Sequence, residues 1–371
     1  MELKFLIKIA SQFKPDRQIL EVQEFGNGNI NKTFRVKIDD KEPYFILQRI
    51  NTQVFSQPEL VMKNIRVFCD RARENLDKLT LEQGLEKKRD WEIPSILLTR
   101  EGQEYWRDRE GGFWRAIRFI EGQTLDTITT ENQAKEVGYG LGLFHALLSY
   151  IPCEELADTL EGFHILPRYL EQYDRVLAEN SPIASSEVKY ARQFIEKRRD
   201  WATILEDAKQ LGKLPLRPIH GDPKVNNIMM DSQTGQAIAM VDLDTIKPGL
   251  VHYDIGDCLR SGCNLLGEEA KHWDNVSFNI ELCQAILQGY FSMARNFLTA
   301  IDYLYIYDSI RAIAFELGLR FFTDYLTGNT YFQVKYPDHN LNRAIVQFKL
   351  VESIEKQEKT IQNLIQQLTD E

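Results

Sequence analysis

Three side chains in the second half of the chain have types and spacing suited to chemistry. Asp222 and Asn227 lie five residues apart in Ile219-His220-Gly221-Asp222-Pro223-Lys224-Val225-Asn226-Asn227, and Asp242 follows twenty residues after Asp222 in Met240-Val241-Asp242-Leu243-Asp244. A carboxylate beside a hydroxyl can take its proton. Carboxylate and amide oxygens are the hard donors that Mg²⁺ prefers. Residues 227–230 and 237–241 read as two short strands around the turn Asp231-Ser232-Gln233-Thr234-Gly235, and that hairpin would return Asp242 beside Asn227. Asp244 is either a second metal ligand or a partner of the first. His220 is read as a structural histidine bonding the loop backbone. Two more carboxylates occur in His252-Tyr253-Asp254-Ile255-Gly256-Asp257, and one of them, with Asp257 preferred, is expected to brace the loop.

The five-residue gap equals that of the protein-kinase catalytic loop, with Asp242 in the place of its metal-binding aspartate. In that reading Asp222 is the base and Asn227 and Asp242 hold Mg²⁺ on ATP. Two departures point away from a polypeptide substrate. Gly221 stands where protein kinases have arginine, and Lys247-Pro248-Gly249 follows Asp242 almost at once, with no A-P-E segment. A small hydroxylated acceptor is expected, with Lys224 at its site.

The nucleotide side is expected in the first third of the chain. Gly26-Asn27-Gly28-Asn29-Ile30-Asn31 lies between two predicted strands, and a glycine-rich turn there could lay its N–H groups over phosphates, with Gly26, Gly28, Asn29 and Asn31 lining it. The third strand should present a cation. Arg49 is chosen, although a shift of one residue would turn Gln48 to that face instead. Glu59 is the candidate partner for Arg49, and the stretch Arg118 to Ile120 would offer backbone groups to adenine.

These motifs require a particular frame. Residues 19–24, 33–38, 43–50, 95–98, 104–107 and 113–120 read as strands, with a helix over 58–77. Helical periodicity dominates afterwards, at 134–150, 167–178, 186–211, 279–297, 300–325 and 341–368. The expected fold is α+β and bilobed, protein-kinase-like, with a strand-rich nucleotide lobe over 1–121 and a helical lobe over 122–371 carrying the loop and the acceptor site.

The residues quoted resemble the aminoglycoside phosphotransferase and choline kinase group of small-molecule kinases. Further stretches are similar to its N-acetylhexosamine 1-kinase branch: Ile46-Leu47-Gln48-Arg49-Ile50-Asn51, Phe163-His164, Pro167-Arg168, Leu317-Gly318-Leu319-Arg320 and Thr323-Asp324-Tyr325-Leu326. That resemblance implies phosphorylation of a sugar's anomeric hydroxyl, with Arg320 and Tyr331 as sugar contacts. Asn29 stands where that branch is expected to have histidine.

Composition limits the alternatives. With 371 residues, 43% hydrophobic and 27% charged, the chain has ample material for a folded core. Its 45 basic and 55 acidic side chains give a net charge of −10, against a general nucleic-acid binder. Five cysteines without a CxxC pair read as reduced thiols of a cytoplasmic protein. The N-terminal stretch reads as a helix and not a signal peptide, and no run of 18 apolar residues suggests a membrane span. A monomer or weak homo-oligomer is expected. The competing readings are a kinase for an aminoglycoside or choline-like alcohol, and a catalytically silent nucleotide-binding protein.

Overall fold

The computed structural model describes residues 2–26, 30–83, 89, 91–179 and 185–370, apart from the side chains of residues 80–83. Its first lobe begins with α1 (Leu3–Phe13), followed by β1 (Ile19–Glu24), β2 (Lys32–Ile38), β3 (Tyr44–Ile50), α2 (Pro58–Gln83), β4 (Ile96–Leu97), β5 (Trp106–Arg107) and β6 (Phe113–Arg118). The strands form one antiparallel sheet in the order β1-β2-β3-β6-β4, with β5 also paired to β6. Leu6, Ile9, Ala10 and Phe13 recur at helical spacing and bury against Phe34, Val36, Phe45, Leu47, Trp114 and Ala116 on one face of this sheet. The odd-numbered residues 45 and 47 of β3 therefore face α1, and the even ones face the second lobe.

The second lobe begins with β7 (Gln123–Thr124), α3 (Glu131–Leu148), α4 (Leu166–Glu179), α5 (Ser186–Glu196) and α6 (Ile204–Gln210). Short strands β8 (Arg217–Ile219), β9 (Ile228–Met230), β10 (Ala237–Met240) and β11 (Lys247–Gly249) come next. Helices α7 (Val251–Gly262), α8 (Ile280–Ala294), α9 (Ala300–Leu304), α10 (Ile306–Leu326), α11 (His339–Lys356) and α12 (Glu358–Asp370) complete it. Because β7 pairs with β9, the chain has crossed between the lobes by Gln123. At the core, α3 and α8 approach through Gly138 and Gly289. A Cβ on Gly138 would lie 1.8 Å from the Ile286 carbonyl oxygen, so only glycine permits this contact.

The fold is the bilobed α+β arrangement read from the sequence, and several boundaries differ. The periodic runs 186–211, 300–325 and 341–368 are each broken, at Arg198, Tyr305 and Gln357, whose backbones leave helical geometry. Apolar spacing survives a one-residue break, so periodicity alone conceals it. Helix α7 was absent from the sequence reading because its buried positions include His252, Asp254, Asp257 and Arg260, which do not form an apolar stripe.

Candidate active site

Between β8 and the turn of Val225–Asn227, the loop His220-Gly221-Asp222 is held by all six of its backbone polar groups. The N–H groups of His220 and Gly221 donate to the Asp254 carboxylate at 2.7 and 2.9 Å. Thr245 Oγ1 donates to the His220 carbonyl at 2.7 Å, and His164 Nε2 donates to the Gly221 carbonyl, also at 2.7 Å. The Asp222 N–H reaches His220 Nδ1 at 3.2 Å, and Asn227 Nδ2 donates to the Asp222 carbonyl at 2.7 Å. Gly221 adopts φ +87°, and a Cβ there would lie 2.6 Å from the Thr245 carbonyl oxygen. With its backbone fixed in this way, the loop leaves the Asp222 side chain partly open beside Lys224 Nζ, 3.0 Å away.

Asp254, not Asp257, therefore braces the loop. The two lie three residues apart on α7, and only the first-turn position faces residues 220–221; the Asp257 carboxylate instead pairs with Arg260 at 2.8 Å. Burial would raise the Asp254 pKa, yet a 2.8 Å bond from His145 Nε2 and the two loop amides hold it below the ordinary carboxylate value. A depressed carboxylate contributes stability above its unfolded pKa and loses it as pH falls through the folded value. Acid unfolding of wild type should thus include an Asp254 step below about pH 4, absent in Asp254→Asn when urea midpoints are compared across pH.

The hairpin of β9 and β10 brings Asp242 to this loop. Val241 N–H donates to the Asn227 carbonyl at 2.9 Å, and His220 Nε2 donates to the Val241 carbonyl at 3.0 Å. Both ring nitrogens of His220 are thereby engaged with backbone, one donating and one accepting, and burial keeps its pKa below the usual imidazole value. Asp242 itself sits in the left-handed region, φ 63° and ψ 53°, and its carboxylate makes no hydrogen bond among the described residues. Desolvation at the cleft floor, then the neighbouring carboxylates of Asp244 and Asp222, push its pKa up to about 7. Such a concentration of negative charge suits a divalent cation. Asn227 has spent its amide N–H on the loop, so its oxygen is left as a hard donor. No group of three His, Cys, Asp or Glu side chains able to hold a metal exists among the described residues. Two protein oxygens completed by phosphates and water is the usual Mg²⁺ arrangement in phosphoryl transfer, so the donor set fits.

Asp244 is placed as a partner of first-lobe side chains. Its Oδ1 pairs with Arg115 Nη1 and its Oδ2 accepts from Asn31 Nδ2, each at 2.5 Å. Arg115 in turn donates through Nε and Nη2 to Gln48 Oε1 at 2.9 and 2.7 Å. Asn31 also accepts from the Asn51 N–H at 2.9 Å. This chain of contacts ties β3, β6 and the residue preceding β2 in the first lobe to the 242–245 turn of the second. Arg115 and Asp244 are only 1% and 3% exposed, so Arg115→Ala strands a buried carboxylate and should cost about 3 kcal/mol in urea unfolding.

The strand pleat also reverses the expectation for β3. Arg49 follows Phe45 and Leu47 onto the α1 face, with its guanidinium 5.9 Å from the Trp114 ring and near Asp108, whereas Gln48 faces the cleft beside Arg115. Glu59 cannot pair with Arg49; it lies exposed on the first turn of α2 and binds Arg107. Gly28 and Asn29 lie outside the described residues. Gly26 takes φ +77° with open space where a Cβ would be. The Arg118 side chain turns outward to Glu42. Ile120, at the lobe junction, packs with Ile238, Ala239, Met229 and Val241 into a small apolar cluster. Its backbone makes no hydrogen bond to another backbone group among the described residues.

On the far side of Asp222, the Lys224 ammonium is held charged by Asp222, Glu268 and Asp257. Each of these acids has a cationic partner. Glu268 pairs with Arg260 at 3.0 Å and Arg343 at 3.1 Å, which keeps its pKa low, at about 2. Arg320 lies among Phe163, Tyr169 and Phe332, 5.1–5.6 Å from each ring centroid, and its one ion pair among the described residues is with Glu316 at 3.6 Å. Tyr331 is exposed, edge-on to Phe332, and electrostatically close to Arg320. Sequence reasoning missed Arg115, Thr245 and Glu316 as partners of the loop and its surroundings, and it named Asp254 only as the less favoured of two bracing carboxylates. His164 was singled out as part of a resembling stretch without a role.

A family model described as a phosphotransferase enzyme family matches residues 21–290, well over half of the chain. Solved structures share the fold at low identity. An aminoglycoside phosphotransferase from Alicyclobacillus acidocaldarius superposes with a TM-score of 0.60 at 16% identity, over 98% of this chain and 96% of that one. A choline kinase from Cryptosporidium parvum gives 0.59 at 15%, over 99% of both chains. A spectinomycin phosphotransferase, solved with ADP and spectinomycin, gives 0.52 at 13%, over 99% and 98%. With the loop geometry, the lobe arrangement and the matched span in agreement, the chain belongs to the aminoglycoside phosphotransferase family of phosphotransferases, whose fold is that of the protein kinases.

Proposed function

We propose that this protein is an ATP- and Mg²⁺-dependent small-molecule kinase that phosphorylates the anomeric hydroxyl of an N-acetylhexosamine or a related neutral sugar. Residues 1–121 carry the nucleotide in this reading, and 122–371 the acceptor. Adenine lies against the Ile120 and Ile238 cluster, with the Ile120 backbone groups at its edge. Asn227 Oδ1 and the Asp242 carboxylate hold the cation, which neutralises phosphate charge when bound. Asp222 accepts the proton of the acceptor hydroxyl as its oxygen forms the new bond to the γ-phosphorus and ADP departs. Lys224 shares Asp222 and stands ready to meet the transferred phosphoryl group.

The observation that carries the acceptor class is the charge state of the wall facing Asp222. Asp257, Glu268 and Glu316 are already paired with Arg260, Arg343 and the His164–Arg320 pair, while Arg320 has hydrogen-bonding capacity to spare beside aromatic rings. A cationic acceptor such as an aminoglycoside or choline needs unpaired carboxylates. A sugar supplies oxygens for a guanidinium and a ring face for Tyr331. The test is ADP release with Mg·ATP over N-acetylglucosamine, N-acetylgalactosamine, aminoglycosides and amino alcohols. Turnover on an acetamido sugar with loss of its reducing end is expected; turnover confined to amino alcohols or aminoglycosides overturns this acceptor.

A further inference from the structure

His164 takes part in none of these steps, yet it connects the two halves of the site. It is buried and adopts a left-handed backbone, φ 65°, which residues bearing a side chain seldom do and which clusters at functional positions. Its Nε2 is 2.7 Å from the Gly221 carbonyl oxygen, and its Nδ1 is 3.1 Å from Glu316 Oε1. The Gly221 carbonyl can only accept, and a Glu316 carboxylate likewise, so beside an ionised Glu316 both ring nitrogens carry hydrogen, as in an imidazolium. The same Glu316 oxygen lies 3.6 Å from Arg320 Nη1, and Glu316 Oε2 has no hydrogen-bond partner among the described residues. Two cations thus share one buried carboxylate, and the Arg320 guanidinium makes no hydrogen bond among the described residues.

We propose that His164 is a positioning residue for Asp222, and that Glu316 links it to Arg320 so that a ligand oxygen held by Arg320 strengthens the grip on the catalytic loop. This rests on reading Asp222 as the base. When Arg320 turns to a ligand, the charge of Glu316 belongs to His164 alone. The charge-assisted bond to the Gly221 carbonyl then shortens its range of motion, one peptide from Asp222. The arrangement is a physical counterpart of preorganisation: the loop is held best when the acceptor is present.

The charged and titratable groups facing His164 come from five elements: α4 supplies Tyr169, whose hydroxyl bonds the His164 backbone, α6 supplies Glu206, and α10, α7 and the loop supply the rest. Helix α10 supplies Glu316 and Arg320. Helix α7 supplies Asp257 and Tyr253, whose hydroxyl bonds Glu206 of α6. The catalytic loop supplies Asp222 beyond Gly221. Burial alone would lower the His164 pKa, but Glu316 and the Gly221 carbonyl raise it above the ordinary imidazole value. Its contribution is therefore complete below the unfolded pKa of about 6.5 and is lost only as pH rises through the higher folded value.

Two measurements test the link. Long-range ¹H–¹⁵N correlation on the resting full-length protein needs no acceptor, and should show both His164 nitrogens protonated at pH 7, with Glu316→Gln converting the ring to the neutral form. In turnover with the acceptor found by the screen, Glu316→Gln should lower kcat roughly 10- to 100-fold at pH 7 with the KM for ATP unchanged, and the fall in wild-type kcat as pH rises through the raised His164 value should be absent from that variant. His164→Asn, which tolerates the left-handed backbone and keeps an N–H donor, should retain more activity than His164→Leu at equal melting temperature. A neutral His164 in wild type at pH 7 overturns the proposal, as does a folded Glu316→Gln with wild-type kcat and pH profile. Failure of the sugar reading would show as a different acceptor in the screen and would leave the resonance result unaffected.

Discussion

Asp222→Asn should reduce kcat by about 10²- to 10⁴-fold while Mg·ATP binding stays near wild type, the range expected for loss of a positioned general base. The substitution keeps the side-chain shape and removes only the ability to accept a proton. Folding should be spared, because the loop is held through its backbone by Asp254, His164, Thr245, His220 and Asn227 and not through the Asp222 carboxylate. Lys224 loses a partner but still faces Glu268 and Asp257. Steady-state kinetics paired with calorimetric titration of nucleotide separates the outcomes. Parallel loss of nucleotide affinity and turnover would assign Asp222 to binding and remove it as the base.

Asp242→Asn should act in the opposite order, abolishing Mg²⁺-dependent nucleotide binding while making the ligand-free protein more stable. The Asp242 carboxylate is crowded by Asp244 and Asp222 on a cleft floor, and its pKa rises to about 7. For a carboxylate raised above its unfolded value of 3.8, the stabilising contribution is present below that value and is lost as pH rises toward 7. At pH 8 the ligand-free wild type therefore carries an uncompensated charge that the amide removes. The Asp242 residue is crowded on the cleft side but open to water on the other, and screening from that side reduces the gain to about 1 kcal/mol. Asparagine also tolerates the left-handed backbone at this position better than most residues. A rise in urea midpoint at pH 8 that vanishes at pH 4, together with nucleotide affinity insensitive to added Mg²⁺, is the expected pair of results. Unchanged Mg²⁺ dependence would remove Asp242 from the metal site.

The two variants separate roles that the sequence could assign only by spacing. Asp222, Asn227 and Asp242 are legible because a tight loop and a short hairpin confine their separation; few conformations of so short a segment are open to it. The residues that make the site rigid are less legible. Asp254 and Asp257 differ by three positions on one helix, and nothing local says which faces the loop. Arg49 and Gln48 differ by one position on a strand, and the choice depended on which face α1 covers. Glu59 failed as a partner for Arg49 for the same reason, since the pleat sends the two residues to different neighbours.

Asp244 shows the limit from another side. Its place two residues after Asp242 suggested a role at the cation, but Arg115 and Asn31, 129 and 213 residues away, are the side chains that the structure sets against its two oxygens. Charge pairing at such separation is a property of packing, not of spacing.

By itself, the sequence determined what short-range geometry enforces: the tight loop around Asp222, the hairpin that returns Asp242, the apolar periodicities of the main helices, and a strand-rich half followed by a helical one. The tertiary structure decided which charges meet: Arg115 with Asp244, Asp254 with the loop amides, and His164 with both Gly221 and Glu316. The reason is physical. Chain connectivity restricts neighbours within a few residues to few arrangements, whereas a buried charge accepts whichever opposite charge the packed elements bring within about 3 Å, and sequence distance places no constraint on that choice.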